Sequence, residues 1–197
     1  MKTVILAAIR CSLMFTAVTG SLVSVKPAQA YTVRLQQIGA NVVANGSGAI
    51  NLTGLNFLSS SAAFPNLLPA GALIVTGPTT FSAVDVYLGL TGPTSFGSGF
   101  TTFANSGSGD TVGVLSFLLL VPQGYVSGTA LSDSATYNNA TFASLGLTPG
   151  TYVWTWGDGA NQRFTLRIGA VPDGGSTVSL LGCALLGLAA LRRKLSC

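Results

Sequence analysis

From Tyr31 to Ala170 the chain contains no lysine, glutamate, histidine or cysteine. What fills this stretch is Gly, Ser, Thr, Asn and Ala, with apolar residues in short runs. Sparse charge, β-formers and frequent turn residues predict an all-β body. The apolar content is too high for a disordered chain. A domain of this length buries roughly two thirds of the surface that its unfolded chain exposes.

Alternation punctuated by turn residues marks the strands. YTVRLQQIG (31–39) and NVVA (41–44) read as strands, NGSG (45–48) as a hairpin turn, and AINLTGLNF (49–57) as the returning strand. Residues 58–70, with two prolines, read as a linker. GALIVTG (71–77) and SAVDVYLGL (82–90) are strands, and 91–110 is a Gly/Ser-rich loop with a short edge strand at Phe100–Ala104. TVGVLSFLLLV (111–121) is one continuous, buried central strand, followed by strand segments at 124–131 and 134–147. The last pair is GTYVWTWG (150–157) and QRFTLRIG (162–169). Eight to ten short strands at this spacing predict an antiparallel β-sandwich.

Two features of the final pair sharpen this. Pro149-Gly150 followed by Tyr152 resembles the tyrosine corner of fibronectin-like and immunoglobulin-like sandwiches, which implies that the Tyr152 hydroxyl bonds backbone near the turn. Tyr152, Trp154 and Trp156 alternate and so share one strand face. In a hairpin they meet Ile168, Leu166 and Phe164 respectively, which makes the aromatic row a core face. The alternative is a sugar-stacking platform, in which Tyr152, Trp154 and Trp156 bind polysaccharide.

Charge excludes several function classes. The chain carries a net +4, but the basic residues concentrate at its two ends. Between 31 and 170 only Arg34, Arg163 and Arg167 face Asp85, Asp110, Asp133 and Asp158, leaving this stretch one charge negative. The clustered lysines and arginines of a nucleic-acid surface are missing. Without His, Cys or Glu, no Ser-His-Asp or Cys-His set and no His/Cys metal site can be assembled there. Asp110, Asp133 and Asp158 stand beside Gly or Ser, where turn formation is the ordinary role. GSGD (107–110) echoes a calcium repeat only once and with the wrong spacing. The expectation is a non-enzymatic body with no cofactor and no metal.

The ends specify processing. Residues 1–30 open with Lys2 and Arg10, continue through an apolar run, and close on KPAQA, where Ala28 and Ala30 fit the small-x-small pattern of signal cleavage after Ala30. At the other end Val171-Pro172-Asp173-Gly174-Gly175 is a proline-glycine break that no regular element continues through. Ser176–Leu191 carries no charge and, as a helix of ~24 Å, nearly spans a ~30 Å hydrocarbon core. Arg192, Arg193 and Lys194 then stop transfer and hold that end cytoplasmic. This three-part tail resembles the C-terminal sorting signal of PEP-CTERM proteins, closest to the VPDSG-type variant, with Gly174 where that variant usually has Ser. The resemblance implies a Gram-negative exopolysaccharide producer. It also implies an exosortase that cuts near Val171–Gly175, so these residues are substrate rather than catalyst. The expected product is a protein exported across the inner membrane, anchored transiently by its helix, and then placed at the cell surface or outside it as a structural part of the exopolysaccharide matrix. A module that binds and retains matrix polysaccharide is the alternative.

Overall fold

The computed structural model describes residues 29–169 of the chain. They form thirteen strands and one 3-10 turn, Pro69–Gly71. In chain order the strands are β1 (Thr32–Ile38), β2 (Asn41–Ala49), β3 (Asn56–Ala63), β4 (Asn66–Leu68), β5 (Leu73–Thr76), β6 (Ser82–Leu88) and β7 (Thr102–Phe103). They continue as β8 (Ser106–Gly109), β9 (Val112–Leu115), β10 (Leu118–Pro122), β11 (Ala130–Tyr137), β12 (Gly150–Thr155) and β13 (Arg163–Ile168). The first sheet runs β12-β13-β1-β2-β11-β8 and the second β3-β6-β10-β9-β5-β4-β7. The body is therefore all-β, as the alternation predicts.

The first sheet is not purely antiparallel. β1 lies between β2, its antiparallel hairpin partner, and β13, beside which it runs parallel with Val33 against Leu166 and Leu35 against Ile168. Period-2 alternation sets Val33, Leu35, Val42, Ala44, Leu131, Ala135, Phe164 and Leu166 on its inner face. These pack against Leu67, Ile74, Val112, Val114, Leu119 and Val121 from the second sheet, making one core between the layers.

The second sheet rolls up. β3 stands at one edge and β4 is five strand intervals away, yet only Phe64 and Pro65 connect them. Five intervals in a flat sheet span ~24 Å, whereas three Cα steps reach at most ~11 Å. The sheet closes this gap by curling, and one ring records it. Phe64 contacts Phe81 beside β6 at 5.5 Å and Phe103 of β7 at 5.6 Å. On the face turned away from the first sheet, the roll buries a second small cluster of Ala63, Val75, Val84 and Val86, with Leu73, Leu118 and Leu120 packed around it.

Several local expectations are corrected. Asn45–Gly48 is not a turn, because β2 runs unbroken through it and pairs on both sides with β1 and β11. Gly46 is needed for a different reason. The Tyr31 hydroxyl and the Asp133 carboxylate occupy the space a Cβ would need. Residues 111–121 are a hairpin rather than one strand. Ser116 takes a left-handed φ of 50° and β9 folds back on β10, with Leu115 opposite Leu118. The linker expected at 58–70 contains most of β3, whose uncharged Ser and Ala residues pair with β6 along one side only.

The β12–β13 hairpin keeps the expected faces but slips by two residues, with Tyr152 opposite Leu166 and Trp154 opposite Phe164. A two-residue shift preserves sidedness. Its cause is the turn after Trp156, where Gln162 Oε1 accepts from the Gly159 amide at 2.6 Å and the Trp156 amide donates to the Gln162 carbonyl. The Tyr152 hydroxyl donates to the Thr148 carbonyl at 3.0 Å, the bond expected of the corner. Trp154 is wholly buried, edge-on to Phe164. Trp154→Ala is expected to cost about 3–5 kcal/mol of stability, measured by urea unfolding. A cost below about 1 kcal/mol is the outcome for an exposed ring.

Candidate functional site

The aromatic row is a seam that fastens distant segments to β12. Trp154 Nε1 donates to the Pro93 carbonyl at 3.0 Å, and Trp156 Nε1 donates to the Asn51 carbonyl at 2.7 Å. Tyr152 stacks at an angle on Phe96, 5.9 Å between centroids. Thr91 and Thr155 exchange both backbone hydrogen bonds, so residues 91–97 close the β12 edge. A sugar-stacking platform needs open ring faces. Trp154 has none, and Tyr152 and Trp156 are half-buried against the core. The expected row Tyr152, Trp154, Trp156 thus exists as a row, and its role is packing.

The sequence pattern does not reveal a buried polar pair that joins β11 to the residue before β1. Tyr31, just before β1, sends its hydroxyl to Asp133 Oδ2 on β11 at 2.5 Å, and Asp133 Oδ1 has no hydrogen-bond partner. The Tyr31 ring rests on Phe164, 5.2 Å away, and Thr76 of β5 adds its hydroxyl beside the pair. The signal was present in Gly46: a glycine inside a strand points to close approach of something bulky. Burial pushes the Asp133 carboxyl up to about 6, the hydroxyls of Thr76 and Tyr31 draw it back, and the charge of Asp110 raises it further. Burial also holds the Tyr31 phenol well above its usual range, with the Asp133 charge adding to it. Desolvation is the largest cause for both groups, and it brings the titration of Asp133 toward neutral pH.

The remaining carboxylates have structural partners. Asp85 accepts from Ser60 Oγ at 2.7 Å and from the Gly124 amide at 2.8 Å, which lowers its pKa. Asp110 Oδ2 accepts from the Ser132 amide at 2.9 Å. Asp158 lies in the β12–β13 turn. Among the described residues no group of three acidic, His or Cys side chains is placed to hold a metal ion. The GSGD segment is strand β8 with Asp110 after it.

The processing residues fall mostly elsewhere. Ala30 is buried in a bridge with Ala49. Ala28, Val171–Gly175, the helix expected over 176–191 and Arg192–Lys194 lie outside the described residues. Among the described residues no helix is long and apolar enough to cross a membrane.

Comparison with known proteins identifies the tail. Residues 170–195 match the VPDSG-CTERM motif, a PEP-CTERM-like sorting signal. No curated protein and no solved structure is significantly similar to the chain. The C-terminus is therefore an exosortase sorting signal, consistent with export and transient membrane anchoring.

Because the folded pKa of Asp133 lies above its unfolded value near 3.8, folding takes up a proton. This contribution is fully present below about pH 4 and is lost as pH rises through about 6. A shift of about two units corresponds to about 3 kcal/mol. Stability is expected to rise as pH falls from 7 to 4.5, read as Tm across buffers. Asp133→Asn is expected to flatten that rise without lowering Tm at pH 7.

Proposed function

We propose that this chain is an exported, non-enzymatic β protein that an exosortase processes at Val171–Gly175, and that its body serves as a structural component of the exopolysaccharide matrix. The observation that carries the sorting half is the motif match over 170–195, joined to a break, an uncharged span and a basic end in the required order. The non-enzymatic half is supported by how the carboxylates are used. Asp110 lies near enough to Asp133 to raise its pKa, yet Asp133 is 6% exposed and closed over by Tyr31. A two-carboxylate hydrolase needs substrate between its acids, and here Asp133 is closed into the core while Asp110 lies at the sheet edge.

The contacts around the signal-cleavage position bear on the order of events. The Tyr31 amide donates to the Ala49 carbonyl, and the Ala49 amide donates to the Gln29 carbonyl. With Ala30 paired and buried, cleavage after Ala30 is read as preceding folding of the body, and it removes the Gln29 contact while leaving the Tyr31 amide on the Ala49 carbonyl. Once cut, Tyr31 is the first residue and carries β1 into the sheet. The uncharged span 176–191 then holds the folded body at the membrane until the tail is cut.

Intact-mass measurement of the extracellular protein is expected to show a species that begins at Tyr31 and lacks Arg192, Arg193 and Lys194. Recovery of the secreted form with its whole tail refutes the processing. A normally processed protein that is absent from isolated matrix leaves the sorting intact and refutes the matrix role.

A further inference from the structure

The solvent face of the first sheet carries every arginine of the described residues. On β13 the exposed Arg163 and Arg167, with the covered Thr165 between them, alternate with the inward Phe164, Leu166 and Ile168. On β1 Arg34 alternates with Val33 and Leu35. The parallel register sets Arg34 beside Arg167, both exposed. Adjacent like charges on one sheet face disfavour the fold, so this placement is one that local stability does not select.

The register extends the pair into a track. Thr151 of β12 lies opposite Arg167, Asn45 of β2 opposite Arg34, Ser134 of β11 opposite Asn45, and Ser108 of β8 opposite Ser134. Thr151, Arg167, Arg34, Asn45, Ser134 and Ser108 therefore form one row across all six strands, ~24 Å from end to end. A cleft of about 240 Å³ between β12, β13 and residues 29–32 opens at the arginine end, with Arg163 and Arg167 in its walls.

The carboxylates are placed away from the arginine end of this row. Asp133 points into the core and Asp85 belongs to the second sheet. Asp110 bonds the Ser132 amide at the far edge. Asp158 shares a turn cleft with Arg163 at the hairpin end of β12 and β13, off the row along the strands. Removal of residues 1–30 would add the α-ammonium group of Tyr31 beside the cleft, since Gln29 and Ala30 line it now.

We propose that this row binds a linear acidic polysaccharide, with carboxylates of the polymer on Arg34 and Arg167 and its hydroxyls on Thr151, Asn45, Ser134 and Ser108. The guanidinium fork suits a planar carboxylate, which it engages through two parallel hydrogen bonds. A row this long exceeds what a small anion fills. Three arginines on a body with net negative charge are too few for nucleic acid, and the row offers no aromatic side chain for base stacking. It also lacks the apolar anchors that seat a protein in a bilayer interface. The track itself stands on the register; only the choice of a polysaccharide as its polyanion rests on the matrix reading.

The test measures retention of the full-length chain and of its Arg34→Gln/Arg167→Gln variant on polygalacturonate, on neutral dextran, and on phosphatidylcholine vesicles containing phosphatidylglycerol. Both proteins carry the same tail, so their difference reports the arginines. The wild type is expected to bind polygalacturonate, weakening as salt rises, and to ignore dextran. At roughly threefold for each exposed ion pair lost, the variant is expected to bind about tenfold more weakly. Its Tm is expected to stay within a few degrees, because both side chains are exposed. Equal binding by wild type and variant, or no binding to polygalacturonate, overturns the proposal. So does an arginine-dependent difference seen on vesicles alone, which assigns the face to lipid headgroups. A chain that binds polygalacturonate through the arginines but is absent from native matrix retains the track and refutes the matrix role instead.

Discussion

The insertion of β1 between β2 and β13 is the constraint on which the rest of the structure depends. The strand joins the terminal hairpin β12–β13 to β2, β11 and β8, and it does so with backbone hydrogen bonds on both sides. Without it the first sheet is a hairpin and a separate three-stranded piece, each with its apolar face open. Tyr31 fixes the strand lengthwise. Its ring packs on Phe164 and its hydroxyl reaches Asp133 across the backbone of Gly46. An isolated polar pair at this depth costs desolvation energy. What it provides is register, since a one-residue slip of β1 would take the Tyr31 hydroxyl away from Asp133 and turn Val33 and Leu35 outward.

The second constraint is the closing of edges. Long uncovered strands invite pairing with other chains. Here the β12 edge is covered by residues 91–97, held by Thr91, the Trp154 indole and Phe96. The second sheet curls until Phe64 touches both of its ends. The tryptophans that invite a sugar-binding reading are used for this closure. Their indole N–H groups are satisfied by the carbonyls of the segments they pin, which is the usual arrangement for a buried tryptophan.

With the aromatics committed to the core, recognition falls to the polar face. A sheet with one buried face alternates by necessity, so the residues between Val33 and Leu35 or between Leu166 and Ile168 meet solvent. The alternation accounts for polar side chains there. It does not account for gathering all three arginines of the described residues on that face, with the carboxylates in the core, in the other sheet and at the edges.

The sequence by itself determined whatever depends on neighbours a few positions apart. Alternation established the all-β body and sent Trp154 inward. Pro149-Gly150 and Tyr152 specified the corner. The order of break, uncharged span and basic end identified the sorting tail, because a membrane and a protease read it linearly. Only the tertiary structure decided which strands lie side by side. Tyr31 and Asp133 meet across 102 positions of chain. The parallel β1–β13 pair brings Arg34 beside Arg167 across a comparable separation. Gly46 looked like a turn residue because glycine serves both turns and close approach, and only the side chains packed over it tell the two apart. Such pairings are set by loop closure and by the fit of surfaces remote in sequence, and no local pattern encodes either.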